Sequence, residues 1–427
     1  MWHPEGVNYY AFLATFAVFA SASENDANAI TANLVARHLP YGPVMDPVFV
    51  SPDSDEIQTY SRCGDSAVWT GHFLAAESFH YAVTKSPVAL HNVKLALHGI
   101  RRLLDVTGND LLARCAFPEN SPYANDILNE EDRHGVYSGI VDGEKWTWIG
   151  ETSRDQIVGV MFGMTAAWDL VDDPEVKSAV QWLSSRVINY LLKHGWITFN
   201  PDGQPTTTFW GFAEEQLMIL KLGRRSNPDH YTNAYRSLSL TIAPEAIVAI
   251  GIDAVDPYSS YYKFNLDYLA MWAMQTSGDN SYVSSNMDSA YKILRKVTEH
   301  HQNPFFDIID RAIKGPNATR DQRIPDLLDQ WLQHPRRNVY VDNTLLVPTC
   351  DNGSRACDPI PVAQRITTDF LWQRSPFQLA GGGYGTIEGA GIDYTLPYWM
   401  ARYYGVIPAA DSDLPPTSSI KYNVSSR

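Results

Sequence analysis

Residues 155–171, DQIVGVMFGMTAAWDLV, place apolar side chains at the spacing of an α-helix. The apolar positions that share one face of this helix are Ile157, Val160, Met161, Met164, Ala167, Trp168 and Val171. The same spacing predicts further helices at 66–83, 88–106, 175–193, 211–222, 231–240, 259–275, 284–299, 324–333, 361–373 and 391–404. Because strand alternation is nearly absent, the sequence predicts an all-α fold.

Turn-forming residues separate these helices at intervals of one helical hairpin, as at 108–110, 172–174, 200–203, 226–229 and 277–280. About a dozen helices in hairpins predict an (α/α)6 toroid, with inner helices around a central cavity and outer helices covering them. Long rim loops are expected at 40–62, 116–150, 200–212, 242–258 and 336–360. The absence of a linker predicts a single domain over 23–407, and the polar segment 408–427 predicts a flexible tail.

The composition narrows the class of ligand. The chain has 427 residues and a formal charge of −15, which repels a nucleic-acid backbone and argues against a nucleic-acid partner. It also has 12 Trp, 23 Tyr and 16 Phe, more rings than a core of this size needs. Aromatic walls suit sugars, polycyclic ligands or carbocations.

The first 22 residues resemble a secretory signal peptide. The apolar run 10–20 is followed by the small residues Ala20, Ser21 and Ala22, although no Lys or Arg precedes it. It is too short to span a bilayer, and an amphipathic first helix is the alternative. We therefore expect the secretory pathway or secretion if the run is a signal, and the cytoplasm if it is not.

Sequons and cysteines agree with secretion. N-glycosylation motifs begin at Asn317, Asn352 and Asn423. Cys350 and Cys357 bracket a turn-rich loop that a disulfide can close. Cys63 and Cys115 can form a second bridge or remain buried thiols, and four unlinked thiols are the alternative to both.

The segment 146–156, WTWIGETSRDQ, is the richest in candidate chemistry and leads directly into the apolar helix. Thr152 or Ser153 can cap that helix, and Glu151 and Asp155 share one side if Glu151 lies in the first turn. Paired carboxylates at a helix entrance can bind Mg²⁺ or act as acid and base. The alternative is a capped helix whose acidic residues only favour the macrodipole.

A second cluster follows Cys63. Asp65 can cap the next helix, whose same face carries Trp69 and His72. An acid, an indole and an imidazole would then line one cavity, although a lone histidine is often a satisfied core residue.

A third cluster, 256–268, places Lys263 among tyrosines and a phenylalanine at the start of an apolar helix. Burying this lysine is costly unless it binds an anion, and extension of its ammonium to solvent is the alternative. The segments 210–215 and 369–374 add further carboxylates and Arg374. The glycine-rich stretch 381–388 lacks dinucleotide-binding spacing and is interpreted as a rim loop.

At these residues the chain resembles two groups of proteins. Its predicted architecture resembles the six-hairpin (α/α)6 proteins, most of which are glycosidases, polysaccharide lyases or sugar epimerases. More specifically, it is similar over roughly 30–407 to the atypical fungal terpene cyclases, the humulene synthases of tropolone-sesquiterpenoid pathways. Like that group, it lacks the D-D-x-x-D motif of ordinary class I cyclases.

The second resemblance implies that the chain binds farnesyl diphosphate through magnesium and a lysine, and releases a cyclic sesquiterpene. Lys263 matches that lysine, with Asn265 and Arg154 as helpers. Asp65, Glu151 and Asp155 are the expected Mg²⁺ ligands, and Lys263, Asp155 and Glu151 the expected catalytic residues. Ser259 stands where the family has a bulky aliphatic residue that influences product geometry. The expected pocket also includes His72, Trp69, Trp148, Tyr261, Phe264 and Trp399.

Two alternatives stay open. A secreted carbohydrate-active enzyme would bind an oligosaccharide and use two carboxyl groups as acid and base, with Glu151, Asp155, Glu214 and Asp65 as the first candidates. Secretion and sequons favour it, since farnesyl diphosphate is an intracellular metabolite. The other alternative is a binding protein without catalysis.

Overall fold

The computed structural model describes residues 22–256 and 261–409. Within these ranges the protein is mostly helical, with fourteen α-helices. The helices are α1 (Glu24–Arg37), α2 (Ser66–Thr84), α3 (Pro87–Asp105), α4 (Ala124–Glu131), α5 (Arg154–Leu170), α6 (Pro174–Lys193), α7 (Ala213–Ser226), α8 (Pro228–Ile242), α9 (Glu245–Val255), α10 (Tyr262–Gln275), α11 (Ser281–Thr298), α12 (Pro304–Lys314), α13 (Ala318–Gln333) and α14 (Ile392–Tyr403).

Short polar residues followed by proline define the start of several helices. Ser86 before α3, Asp173 before α6 and Asn303 before α12 each accept hydrogen bonds from two backbone N–H groups of the first turn. Proline is the next residue in all three, where its missing N–H costs nothing and its fixed φ fits the helix. These caps set the register with which each helix presents its apolar face.

Six helices contact one another in a closed cycle. α2 contacts α5, α5 contacts α7, α7 contacts α10, α10 contacts α12, α12 contacts α14, and α14 contacts α2. The helices α3, α6, α8, α11, α13 and α1 pack against members of this cycle. One hydrophobic cluster includes side chains of both sets, from Ala22 to Ile407 in the sequence.

Glycines allow α2 and α5 to approach closely. A Cβ atom on Gly71 would lie 2.1 Å from the carbonyl oxygen of Gly159, and one on Gly163 would lie 2.1 Å from that of Gly71. No side chain fits there, so the two backbones are in direct contact. This contact brings the N-terminal ends of α2 and α5, with Asp65 and Asp155, to the same place.

The predicted all-α fold is confirmed only in part: most of the described structure is helical, but it also contains three small antiparallel sheets. The described residues contain a four-stranded sheet in the order β2-β1-β9-β8, a three-stranded sheet in the order β3-β5-β4, and the pair β6-β7. The strand pairs in these sheets are antiparallel. The strands are β1 (Asp46–Phe49), β2 (Ile57–Ser61), β3 (Cys115–Pro118), β4 (Val136–Val141), β5 (Glu144–Ile149), β6 (Ile197–Phe199), β7 (Pro205–Thr208), β8 (Arg337–Asp342) and β9 (Ala380–Glu388).

Several predicted boundaries also change. The glycine-rich stretch 381–388 is strand β9 rather than a loop, and Gly382 has φ of +114° where a Cβ would meet the backbone of β8. The predicted helix 361–373 does not form, and this segment instead contains two short 3-10 turns, Val362–Gln364 and Leu371–Gln373. Of the expected rim loops, 116–150 holds α4, β4 and β5, and 242–258 holds α9.

Two disulfides form in the described residues, Cys350–Cys357 and Cys63–Cys115. Asn317 is exposed and caps α13, and Asn352 is exposed beside the first disulfide. Asn423, Ser259, nearly all of the predicted signal segment 1–22 and most of the predicted tail 408–427 lie outside the described residues.

In the ranges described, no single helix is long and apolar enough to cross a membrane, and only the bent pair α8 and α9 together meets that length and composition.

Candidate functional site

A group of acidic side chains, which we call the acidic cluster, lies at the N-terminal ends of four helices of the contact cycle, α2, α5, α7 and α10. Asp65 directly precedes α2, and Asp155 lies in the first turn of α5. Glu214 and Glu215 lie in the first turn of α7, and Asp267 lies in the second turn of α10. A helix N-terminus stabilises an ionised carboxylate, whereas burial disfavours ionisation because it removes water from the carboxyl group. Whether each carboxyl group is ionised therefore depends on its neighbours.

Glu214 and Glu215 are the most deeply buried pair. Both oxygens of Glu214 and one oxygen of Glu215 lack a hydrogen-bond partner among the described residues. Burial, followed by repulsion from Glu215, raises the pKa of Glu214 to about 8. Burial also raises the pKa of Glu215 to about 7, although Arg154 opposes it. At neutral pH the pair therefore keeps at least one proton unless a cation binds beside it.

Arg154 connects this pair to Asp155. One guanidinium nitrogen of Arg154 lies 3.0 Å from Oε1 of Glu215, and the guanidinium lies 3.2 Å from the centroid of the Phe212 ring. Repulsion from Asp155 contributes to the raised pKa of Glu215, which places the two carboxyl groups within electrostatic reach. Arg154 is thus held at the centre of the acidic cluster.

Asp65 and Asp155 share one amide. The Gln156 side-chain nitrogen donates to Oδ1 of Asp65 at 3.1 Å and lies 3.4 Å from Oδ2 of Asp155. Ser153 occupies the N-cap position of α5, but its hydroxyl donates to the Asp155 carboxylate and accepts no hydrogen bond from a backbone N–H of the first turn. Burial, followed by repulsion from Asp369 and Asp155, raises the pKa of Asp65 to about 7. The fold therefore brings Asp65 and Asp155, which the sequence places at two separate helix starts, close together.

Asp369, which precedes the 3-10 turn Leu371–Gln373, is the acidic side chain that contacts Trp69 and repels Asp65. The indole nitrogen of Trp69 donates to Oδ2 of Asp369 at 3.3 Å, and Arg374 lies 3.3 Å from Oδ1. Burial opposes ionisation of Asp369, but Arg374 and Arg62 outweigh it and hold the pKa of Asp369 below its usual value. Asp369 is consequently an anion beside the partly protonated Asp65.

Lys263 lies in the first turn of α10, as predicted, but it is not an isolated buried cation. Its ammonium donates to Oδ1 of Asp253 at 2.7 Å, and a third of its side chain is exposed. Asp253 in turn repels Glu214 and Asp267. The lysine therefore lies at the edge of the acidic cluster with its position set by Asp253.

Asn265 follows Lys263 by two residues on α10 and is fully buried. Its side-chain amide nitrogen and oxygen have no hydrogen-bond partner among the described residues. Asp267 has one unpartnered oxygen, and burial with repulsion from Glu214 and Asp253 raises its pKa well above the usual value. Asp155, Glu214 and Asp267 have no ion-pair partner within 22–256 and 261–409. Carboxyl groups here outnumber the cations that contact them.

Aromatic side chains lie beside the cluster. Trp69 stacks on Phe370 with 5.1 Å between centroids, and Phe264 is fully buried on α10. The Tyr261 ring stacks on Phe306 at 5.7 Å, and its hydroxyl lies 3.3 Å from Nδ1 of His301.

Two predicted pocket residues lie in other environments. Trp148, on β5, packs against Tyr137 in the three-stranded sheet, with 4.7 Å between centroids. Trp399, on α14, stacks on His80 at 4.0 Å, near the C-terminal half of α2. Neither has a ring contact with the aromatic side chains beside the acidic cluster among the described residues, so their expected role as pocket walls has no support from these contacts.

Glu151 does not lie in the first helical turn, which was the condition for it to share one side of the helix with Asp155. Helix α5 begins at Arg154, and Glu151 precedes it with φ of +53° and an exposed side chain. Its backbone carbonyl accepts a hydrogen bond from Arg114, which also contacts Asp65. Glu151 and Asp155 therefore do not share a helical face, and Glu214, Glu215, Asp253, Asp267 and Asp369 complete the acidic cluster instead.

Across the described residues, no three His, Cys, Asp or Glu side chains converge as a preformed metal site. Mg²⁺ does not require three protein ligands, because it usually keeps several waters and binds through one or two carboxylates plus substrate phosphates. The unpartnered oxygens of Glu214, Glu215 and Asp267 are the donors that such an ion takes.

Comparison with known proteins identifies no relative: no family model matches the chain, and no curated protein matches it.

Proposed function

We propose that this protein is a magnesium-dependent terpene cyclase that converts farnesyl diphosphate to a cyclic sesquiterpene. As part of the same proposal, the six helices of the closed contact cycle are the inner ring of an (α/α)6 toroid. The helices α1, α3, α6, α8, α11 and α13, which pack against the cycle, are the outer ring. In such a toroid the inner-helix ends surround the mouth of the central cavity. Asp65, Asp155, Glu214 and Glu215 lie at the N-terminal ends of three of these helices, α2, α5 and α7, which supports the proposal.

The observation that carries the proposal is the shortage of cations around buried acids. Glu214 and Asp267 are buried and have no ion-pair partner in the described part of the chain, and both oxygens of Glu214 and one oxygen of Asp267 lack a hydrogen-bond partner there. Asp155 is half-buried and also has no ion-pair partner there, although its oxygens accept hydrogen bonds from Ser153 and Gln156. A carboxylate in such a site is ionised only when a cation binds beside it. A divalent ion that arrives with a diphosphate supplies this charge, and carboxylates alone would repel the diphosphate.

Glu214, Glu215 and Asp267, which have unpartnered oxygens, would hold magnesium, which when bound neutralises negative charge on the departing diphosphate. Lys263 donates from the edge of the cluster to a diphosphate oxygen, and Asp253 holds its ammonium in place. Arg154 supplies a second cation, and the free amide nitrogen of Asn265 a neutral donor. All these groups bind the polar end of the substrate.

The aromatic side chains beside the cluster bind the other end. A prenyl chain is apolar, and Trp69, Phe264 and Phe370 offer buried ring surface next to the acids. The faces of these rings stabilise an allylic cation, and a dry pocket prevents its capture by water. Cyclisation then depends on the shape that the rings impose on the chain.

Replacement of Lys263 tests the proposal. Lys263→Ala should abolish diphosphate release from farnesyl diphosphate in the presence of Mg²⁺, because the leaving group loses its fixed cation. The matched control is Lys292→Ala on α11, where the lysine pairs with Asp288 and is 70% exposed. Full activity of Lys263→Ala would show that this lysine has no role in the reaction.

A carbohydrate-active enzyme is the second candidate, and the charge states of two acids favour it. The raised pKa of Asp65, next to the lowered pKa of Asp369, provides a proton donor beside an anion, as acid and base catalysis of glycoside cleavage requires. Such an enzyme would release reducing sugar from a glycan in EDTA, with a bell-shaped pH profile. Loss of that activity in EDTA would exclude it.

The two disulfides support a proposed location in the secretory pathway, since disulfides persist mainly in oxidising compartments. Exposed Asn317 and Asn352 support it too. Endoglycosidase treatment of the protein from its own cells would test this, because a change in mass requires attached glycans.

A further inference from the structure

His72 lies on the inner helix α2 and is fully buried. Its Nδ1 lies 2.8 Å from the backbone carbonyl oxygen of Val68. Because a carbonyl oxygen only accepts hydrogen bonds, Nδ1 carries the hydrogen and Nε2 carries a lone pair. Nε2 has no partner among the described residues. A buried acceptor without a partner costs folding free energy, so this atom calls for an explanation.

Aromatic rings surround the imidazole. Its centroid lies 4.9 Å from Phe370, 5.1 Å from Trp69, 5.7 Å from Phe162 and 6.3 Å from Phe305. These rings come from α2, α5, α12 and the segment before the 3-10 turn Leu371–Gln373. The lone pair of His72 is therefore the basic atom within an otherwise apolar, ring-lined region.

The depth of His72 suits the far end of a prenyl chain. His72 follows Asp65 by seven residues, so at 1.5 Å per residue it lies about 10 Å further along α2. The stacked rings of Trp69 and Phe370 lie between the acids and the imidazole, since Trp69 donates to Asp369 on one side and contacts His72 on the other. The acidic side chains and His72 therefore lie on opposite sides of this ring pair.

We propose that Nε2 of His72 is the base that ends the cyclisation, an assignment that rests on the proposed cyclase function. The lone pair of Nε2 takes a proton from the carbon next to the cationic carbon. The electrons of that C–H bond form the new C=C bond, and the cation becomes a neutral hydrocarbon. The imidazolium then passes its proton to the released diphosphate, so the balance is one farnesyl diphosphate to one hydrocarbon and one protonated diphosphate.

The surroundings of His72 support both proton transfers, the uptake of a proton by Nε2 and its later return to the diphosphate. Burial lowers the pKa of His72 to about 4, so the ring is neutral when the substrate binds and returns its proton readily afterwards. A carbocation is a far stronger acid than an imidazolium, so a weak base suffices. The faces of Phe370, Trp69 and Phe162 stabilise the transient imidazolium, which has no carboxylate in contact with it in the described structure.

The variant His72→Asn separates this role from a structural one. The asparagine amide can keep the hydrogen bond to the Val68 carbonyl but has no basic nitrogen. We expect diphosphate release to stay within about threefold of the parent while the normal hydrocarbon falls at least about tenfold, replaced by alcohols or other alkenes, since a positioned base contributes 10²-fold or more. The control His80→Asn, on the same helix beside Trp399, should keep the parent product.

An unchanged product profile in folded His72→Asn would overturn the assignment, as would an equal fall in diphosphate release and hydrocarbon together with a lowered melting temperature. If the parent protein releases no diphosphate, the cyclase proposal itself fails, and this role fails with it. The unmodified protein gives an independent test by ¹⁵N NMR. An unprotonated Nε2 at pH 7 that shifts when farnesyl thiodiphosphate binds supports the assignment, and an Nε2–H tautomer overturns it.

Discussion

The buried carboxyl groups predict that the protein becomes less stable as the pH rises, and Glu214→Gln should weaken that dependence. The pKa of Glu214 is raised from 4.5 to about 8 in the folded protein. A raised carboxyl pKa means that the folded state binds a proton that the unfolded state has already lost. This contribution to stability is complete below the unfolded pKa of 4.5 and is lost as the pH rises through the folded pKa of about 8.

The size of the effect follows from proton linkage. One excess proton in the folded state lowers the free energy of unfolding by about 1.4 kcal/mol for each pH unit. Between pH 5 and 7.5 the neutral glutamine of Glu214→Gln should therefore reduce the slope by up to about 1.4 kcal/mol per pH unit through the loss of this one titrating group. The reduction can be larger, because repulsion between Glu214 and Glu215 also contributes to the slope.

Urea unfolding at a series of pH values measures this slope, with the fluorescence of the 12 tryptophans as the signal. The control is Glu56→Gln, which removes a carboxyl group from an exposed position. Parallel curves of stability against pH for Glu214→Gln and the parent would refute the reasoning. They would mean that Glu214 is ionised and compensated in the folded protein.

Two further predictions concern the framework that holds the site. Gly71→Ala should cost about 3 kcal/mol or more and lower the melting temperature, because its Cβ would overlap the backbone of α5, whereas Gly251→Ala in open space on α9 should be neutral or stabilising. Replacing Cys63 and Cys115 with alanine should cost about 4 kcal/mol by loop entropy. Removing the other disulfide, whose cysteines are only 7 apart, should cost less in the same calorimetric scan.

The periodic apolar helices were predictable from the sequence because their spacing is strong. The predicted segment 66–83 corresponds to α2 at Ser66–Thr84, and 155–171 corresponds to α5 at Arg154–Leu170. Helix α12 was missed although Asn303-Pro304 is a clear start signal.

The sheets were missed because their strands are short. One local signal was present: Asp142-Gly143 joins β4 to β5, both residues have positive φ, and this dipeptide is typical of a two-residue hairpin turn. Strand β9 could not be recognised, because its glycines allow close approach to β8 and give no alternation of polar and apolar residues.

The site was predictable only in part, because its members meet through the fold. Asp65 and Asp155 stood out at helix starts, and the glycine contact between α2 and α5 brings them together. Asp253 and Asp267 are ordinary acids in the sequence, and only the packing of α7, α9 and α10 shows that they surround Glu214. The left-handed backbone conformation of Glu151 and the exposure of its side chain before α5 were not visible in the sequence.

The most direct test of the central claim is incubation of the purified protein with farnesyl diphosphate, with and without Mg²⁺, followed by gas chromatography of a hexane extract. The account predicts a sesquiterpene hydrocarbon that forms only with Mg²⁺ and disappears in Lys263→Ala. Folded protein that gives no hydrocarbon under either condition would contradict the account, and the carbohydrate candidate would then be tested with a panel of glycans.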